Sequence, residues 1–168
     1  MQHRFILIIL LSFCFWDGNS QSKDSFKSAI NIAAGGIGGY GSLNYEHTFF
    51  SKKNYSIAPS AGFSFFRFYD YERKFNPDLL FPIRILGFRK WKSHQAVLGV
   101  GQTISSLVQA NADFEKIRNN ALSGSLILGY RFQKQNSRWT FQINYTPLFE
   151  HYKRFRNWGG LSVGYFLK

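Results

Sequence analysis

Cysteine and acidic residues are scarce in this 168-residue chain, and no apolar run is long. The single Cys14 excludes a disulfide framework. Asp and Glu number 9 against 21 Lys and Arg, which leaves a formal charge of +12. No apolar stretch reaches the roughly 18 residues a membrane helix requires, so a helical membrane protein is excluded. Helical periodicity is almost absent after residue 20. Aromatic residues, in contrast, make up 19% of the chain, with 19 Phe. Such a composition excludes a disordered chain, and the length fits about one domain.

The N-terminus reads as an address. His3 and Arg4 precede an apolar run over 5–16 (FILIILLSFCFW), and Gly18 and Ser20 are the small residues before a cut at Gln21. This is the three-part layout of a secretory signal peptide, over 1–20. The alternative, a short membrane anchor, is disfavoured because the run is too short to span a bilayer. Cys14 follows Phe13, whereas a lipid-modified Cys follows a small residue. The remaining 21–168 form one domain without cysteine.

Period-two alternation recurs along that domain in eight segments: 25–36, 40–50, 54–68, 79–91, 94–108, 120–133, 139–150 and 158–168. The seventh is the clearest, with Trp139, Phe141, Ile143 and Tyr145 against Thr140, Gln142, Asn144 and Thr146. The second face decides the class. A soluble barrel or sandwich turns charged residues outward. Here that face carries Ser, Thr, Asn, Gln and Gly, while charges sit mostly in the connections. An apolar outside, a polar hydrated inside and strands of about ten residues predict an all-β, eight-stranded, antiparallel up-and-down transmembrane β-barrel.

The connections support this phase. Those at 51–54, 92–94 and 134–138 are short; those at 69–78, 109–119 and 151–157 are longer. Short turns facing the periplasm and long loops facing outward are the rule for such barrels. The 37–39 connection is the exception, as short as a turn. The glycines of 35–39 (GGIGG) lack the Lys-Ser/Thr of a phosphate loop and fit tight turning and close strand packing. Tyr40, Phe49, Tyr55, Phe65, Tyr69, Trp91, Trp139, Phe149 and Trp158 cluster at segment ends, where interfacial girdles need them.

The chain from residue 25 to 168 thus resembles the small eight-stranded outer-membrane barrels of Gram-negative bacteria. The closing segment 158–168 (WGGLSVGYFLK) looks like the C-terminal strand signal read by the barrel-assembly machinery during biogenesis, although Leu167 and Lys168 follow the aromatic Phe166. The resemblance implies a bacterial outer-membrane location. It does not choose among adhesins, structural proteins and lipid-handling enzymes, because function resides in sites and not in folds.

Eight strands leave room for side chains but not for a wide pore. Glu46, Arg84 and Arg131 are expected in a polar lumen network, with Glu46 paired to Arg84, since a lone buried charge is costly. Arg67, Arg73, Lys74, Arg118, Lys153, Arg154 and Arg156 are expected at the outer rim, where they are candidates to contact the phosphates of lipopolysaccharide among the outer-membrane lipids. Nucleic-acid binding is disfavoured by the signal peptide and by the absence of a binding motif.

An enzymatic reading is weighed on 149–158 (FEHYKRFRNW), which is similar to the motif of outer-membrane lipid A deacylases. His151 matches the catalytic His of that family, but Lys153 stands at the place of the nucleophilic Ser, and no acidic residue follows. A Ser hydrolase without its hydroxyl has no nucleophile. No metal-ligand spacing occurs, and no cofactor is expected. The expected role is therefore structural or interactive, without catalysis. Two alternatives stay open, a lipid A-modifying enzyme and a soluble periplasmic lipid-binding barrel with its apolar face inward.

Overall fold

A computed structural model describes residues 27–70, 72–110, 115–150 and 153–167. The signal peptide expected over 1–20 and the cut expected before Gln21 lie outside the described residues, as does His151. Eleven strands follow in chain order: β1 (Ser28–Gly35), β2 (Gly41–His47), β3 (Phe50–Lys52), β4 (Tyr55–Phe66), β5 (Asp78–Trp91), β6 (His94–Ala110), β7 (Lys116–Phe132), β8 (Trp139–Tyr145), β9 (Leu148–Glu150), β10 (Lys153–Arg156) and β11 (Gly159–Phe166). The ring β1-β2-β4-β5-β6-β7-β8-β11 closes on β1, giving an eight-stranded antiparallel barrel. Three short strands continue its staves: β3 carries the β2 side along β4, and β9 and β10 extend the β8–β11 hairpin. Pro147, which has no N–H to donate, falls in the gap between β8 and β9. The pairing with β7 keeps one register across that gap, from Leu128↔Tyr145 to Ser125↔Leu148.

Alternation in sequence becomes separation of faces, because successive side chains of a strand point to opposite sides. In β8, Trp139, Phe141, Ile143 and Tyr145 lie on the exposed outer wall, while Thr140, Gln142 and Asn144 are buried inside. The same division runs through β1, β2, β5, β6 and β11. Ile32 and Leu98, exposed at 68% and 65%, show how far the apolar wall faces outward. The soluble-carrier alternative needs these side chains inside. Aromatic contacts ring both ends: Trp139 meets Tyr165 edge-on at 5.0 Å near the short turns, and Tyr40 meets Trp158 at 6.0 Å near the long loops.

Two local expectations are corrected. The 109–119 connection is mostly ladder, since β6 and β7 remain paired up to Ala110↔Lys116. β5 follows β6 only as far as Leu79↔Ser106, so the β6–β7 hairpin projects beyond it. Part of the 151–157 connection is likewise strand, as β10. Both stretches are polar and lack alternation against a core, so sequence pattern reads them as loops, whereas backbone pairing extends the ladder through them.

The glycine-rich connection after β1 is the tight, closely packed turn its composition suggests, with one addition. It turns inward instead of simply closing a hairpin. Gly36, Ile37 and Gly38 form a buried 3-10 turn, entered through Gly35 and Gly36 and left through Gly39, all at positive φ. Glycine takes that conformation without steric cost. Thr103 donates its hydroxyl to the Ile37 carbonyl at 2.7 Å, which anchors the turn across to β6. A Cβ on Gly160 would come within 2.7 Å of the Gly36 nitrogen, so β11 must be bare where the turn passes.

The interior is also less uniformly polar than the alternation implies. Ala58, Leu86, Phe88, Val97 and Ile127 point inward and pack with Ile37 into one apolar cluster. The polar lining is therefore confined to other parts of the wall.

Candidate functional site

Two groups of side chains stand out, one inside the barrel and one on its long-loop rim. Inside, Glu46 and Arg131 are 1% and 3% exposed. Arg131 donates from Nη1 to Glu46 Oε1 at 2.8 Å and from Nη2 to Oε2 at 2.7 Å. This bidentate fork is the strongest geometry available to the pair. Arg131 Nε donates to Gln142 Oε1 at 2.6 Å, and Gln142 Nε2 donates to Asn144 Oδ1 at 2.7 Å. The guanidinium also lies over the Phe88 ring at 4.2 Å, so the apolar cluster and the polar network share a boundary.

Glu46 is thus paired with Arg131 and not with Arg84. Arg84 is buried, and its Nε donates to Ser60 Oγ at 3.2 Å. The reason is one of strand ends and stagger. β2 stops at His47, so Glu46 sits near the short-turn end and not at mid-strand. Arg131 is the penultimate residue of β7, at that same end. Arg84 lies midway along β5. Closing a barrel staggers the strands by a fixed shear, which single segments do not reveal.

On the rim, the 67–77 loop is tied to the projecting β6–β7 hairpin. Lys116 Nζ lies 2.8 Å from Asp70 Oδ2 and 2.6 Å from Glu72 Oε2. The Asp70 carboxyl also caps its own loop, accepting from the backbone N–H of Glu72 at 2.9 Å and of Lys74 at 3.0 Å. Hydrogen bonding from Lys116 first of all holds both carboxyls below their ordinary range, and bonding to Asp70 and then Glu72 raises the Lys116 ammonium above its own. Asp78 at the start of β5 accepts from the Val108 N–H at 2.7 Å, a second tie to the hairpin.

The rim cations named from sequence divide accordingly. Arg118 is engaged: its guanidinium donates to the Asn76 side chain, and to the Pro77 carbonyl at 3.2 Å. Lys74 pairs with Glu72 at 3.1 Å. Arg67 is exposed and 3.9 Å from Asp78, while Arg73 and Arg156 are exposed. Lys153 and Arg154 lie in β10, and their side chains are outside what the structure describes. Sequence reading missed Lys116, Asp70 and Glu72. Opposite charges in two connections were visible, but nothing in the order of residues brings those connections together.

No family model matches the chain, and no curated protein matches it. Among solved structures, the N-terminal β-barrel domain of Pseudomonas aeruginosa OprF superposes with a TM-score of 0.58 at 12% identity, covering 85% of this chain and 98% of that one. The fold is that of a small outer-membrane barrel. Yersinia pestis outer membrane protein Ail aligns over 85% of this chain and 100% of its own, at 11% identity and a TM-score of 0.43. At 12% identity the likeness to the OprF domain concerns the fold alone.

Proposed function

We propose that this protein resides in the bacterial outer membrane as a non-enzymatic barrel with a structural or surface-interaction role. One observation carries the reading: the apolar side chains, Ile143 and Leu98 among them, face outward around a lumen filled by Glu46, Arg131, Gln142 and Asn144. Such a body is stable only where its outer wall meets hydrocarbon. The inward turn at Ile37 and the apolar cluster beneath it support a lumen without an open pore. The exposed Arg67, Arg73 and Arg156, with Lys74 beside them, support contact between the rim and phosphorylated lipid, lipopolysaccharide in the outer leaflet. β11 would be the strand received by the barrel-assembly machinery.

The test is fractionation followed by gel migration with and without boiling in SDS. A closed barrel in the outer-membrane fraction is expected to shift on boiling. Recovery in the soluble periplasm without a shift would overturn the reading. Replacing Arg67, Arg73 and Arg156 together by Gln is expected to lower co-purified lipopolysaccharide without altering the gel shift. Unchanged co-purification would remove the lipid contact and leave the barrel reading intact.

A further inference from the structure

Between the 67–77 loop and the projecting β6–β7 hairpin, the rim encloses a cavity of about 440 Å³. Small-molecule sites typically measure roughly 300–1,000 Å³. Its two walls are already tied together, by Lys116 against Asp70 and Glu72 and by the Val108 N–H against Asp78. Binding there therefore costs little ordering of the walls. Within the lining, Asp78 is incompletely bonded. Its side chain is 4% exposed, and Oδ1 accepts from the Val108 N–H at 2.7 Å. Arg67 Nε stands 3.9 Å from Oδ2, beyond hydrogen-bond distance. Among the described residues, Oδ2 accepts no hydrogen bond. A carboxylate oxygen so far withdrawn from water is costly to leave without a donor.

The gap between these two groups selects a ligand chemistry. An oxygen seated about 2.8 Å from each would fill it, donating to Asp78 Oδ2 while accepting from Arg67 Nε. A hydroxyl does both at one atom. Two further donors line the same cavity. The Asn76 amide uses its oxygen on Arg118 and the Gln109 amide uses its oxygen on Asn119, so the NH2 group of each is left for a ligand. Tyr69 adds a largely exposed aromatic ring. The charges cancel, Arg67 against Asp78 and Lys116 against Asp70, so the lining favours neither a free anion nor a free cation. We infer that this cavity binds a neutral sugar unit, a pyranose whose vicinal hydroxyls meet Asp78, Arg67 and the two amides while its CH face packs on Tyr69. The inference gives the surface-interaction reading a ligand class, and it rests on that reading for the side of the membrane from which the sugar arrives.

NMR titration tests it, with isotope-labelled barrel refolded in a detergent that carries no sugar headgroup. Neutral disaccharides are expected to cause saturable shifts at the Val108 and Gln109 backbone amides and at the Asn76 and Gln109 side-chain amides. Asp78→Asn keeps an oxygen for the Val108 N–H but replaces the second acceptor by a donor. It is expected to weaken binding roughly tenfold or more, with the boiling-dependent gel shift unchanged. Should that variant fail to fold, Tyr69→Leu on the exposed rim is expected to weaken binding as well. Deacylated lipopolysaccharide oligosaccharide and glycans of other origin form separate arms, and saturation of the same resonances by either supports the sugar class and identifies the source. No saturable shift with any sugar, shifts confined to the outer wall, affinity unchanged in the folded variants, or displacement by inorganic phosphate at equal ionic strength would each overturn the inference. A protein that shows the gel shift but binds no sugar loses this site and keeps the barrel reading.

Discussion

Glu46 and Arg131 face each other across the full width of the lumen. Their strands, β2 and β7, stand four positions apart in either direction around the ring, yet the two side chains are joined by hydrogen bonds of 2.8 and 2.7 Å. One ion pair therefore ties opposite walls, which neighbouring-strand ladders cannot do.

Removing one partner is expected to be costly. Glu46→Gln leaves the Arg131 charge buried without its carboxylate, and a loss of about 3–5 kcal/mol in unfolding free energy is expected. The double variant Glu46→Leu, Arg131→Met removes both charges and is expected to lose less than Glu46→Gln alone. Urea unfolding in detergent or lipid, followed by the gel shift, measures both. A Glu46→Gln protein as stable as wild type would show that the pair contributes no net stability.

The inward turn gives a second expectation. In Gly160→Ala the new methyl meets Gly36 N at 2.7 Å and Gly35 C at 2.8 Å, both backbone atoms that cannot rotate away. The turn must lift, at a cost of about 1–3 kcal/mol for overpacking. Planar-bilayer recordings are expected to show no sustained current for the wild type and brief openings for Gly160→Ala. Equal conductance in the two proteins would mean that the turn does not govern passage.

The rim network responds to pH with a definite sign. Asp70 and Glu72 titrate below their unfolded values, so their contribution is complete above about pH 4 and is lost as pH falls through their lowered folded values. Lys116 titrates above its unfolded value, so its contribution holds below about pH 10 and fades as pH rises through the raised one. Between those limits the 67–77 loop stays tied to the β6–β7 hairpin. Lys116→Met is expected to raise the rate of limited proteolysis in that loop at neutral pH, with the boiling-dependent gel shift of the barrel unchanged. Acid-stable proteases applied at low pH are expected to cut wild type and variant alike. A wild-type loop equally sensitive at both pH values would contradict the tie.

Adjacent residues of β8 test the faces directly. Ile143 is 55% exposed on the outer wall, and Asn144 is 8% exposed inside. In a chain begun at Gln21, which has no other cysteine, a fluorophore on Ile143→Cys is expected to be quenched by brominated lipid, and Asn144→Cys to resist labelling until the barrel is unfolded. The reverse pattern would turn the barrel inside out.

What the residues declared by themselves was the strand number, the side each strand turns outward and the short-turn end. Those properties follow from the two-residue repeat and from turn composition, both local. Trp139–Tyr145 carries its own face assignment, whatever it pairs with. The polar ladder beyond Ser106 carries no such mark and reads as a loop, because its pairing with β7 rests on backbone hydrogen bonds that leave no two-residue repeat. The lumen partners were equally out of reach. Glu46, Arg84 and Arg131 could be placed inside from parity alone, but which cation meets Glu46 depends on the stagger accumulated around a closed ring. The fate of the Gly35–Gly39 turn was likewise settled only in three dimensions, because bare backbone at Gly101 and Gly160, far along the chain, makes the space into which Ile37 folds.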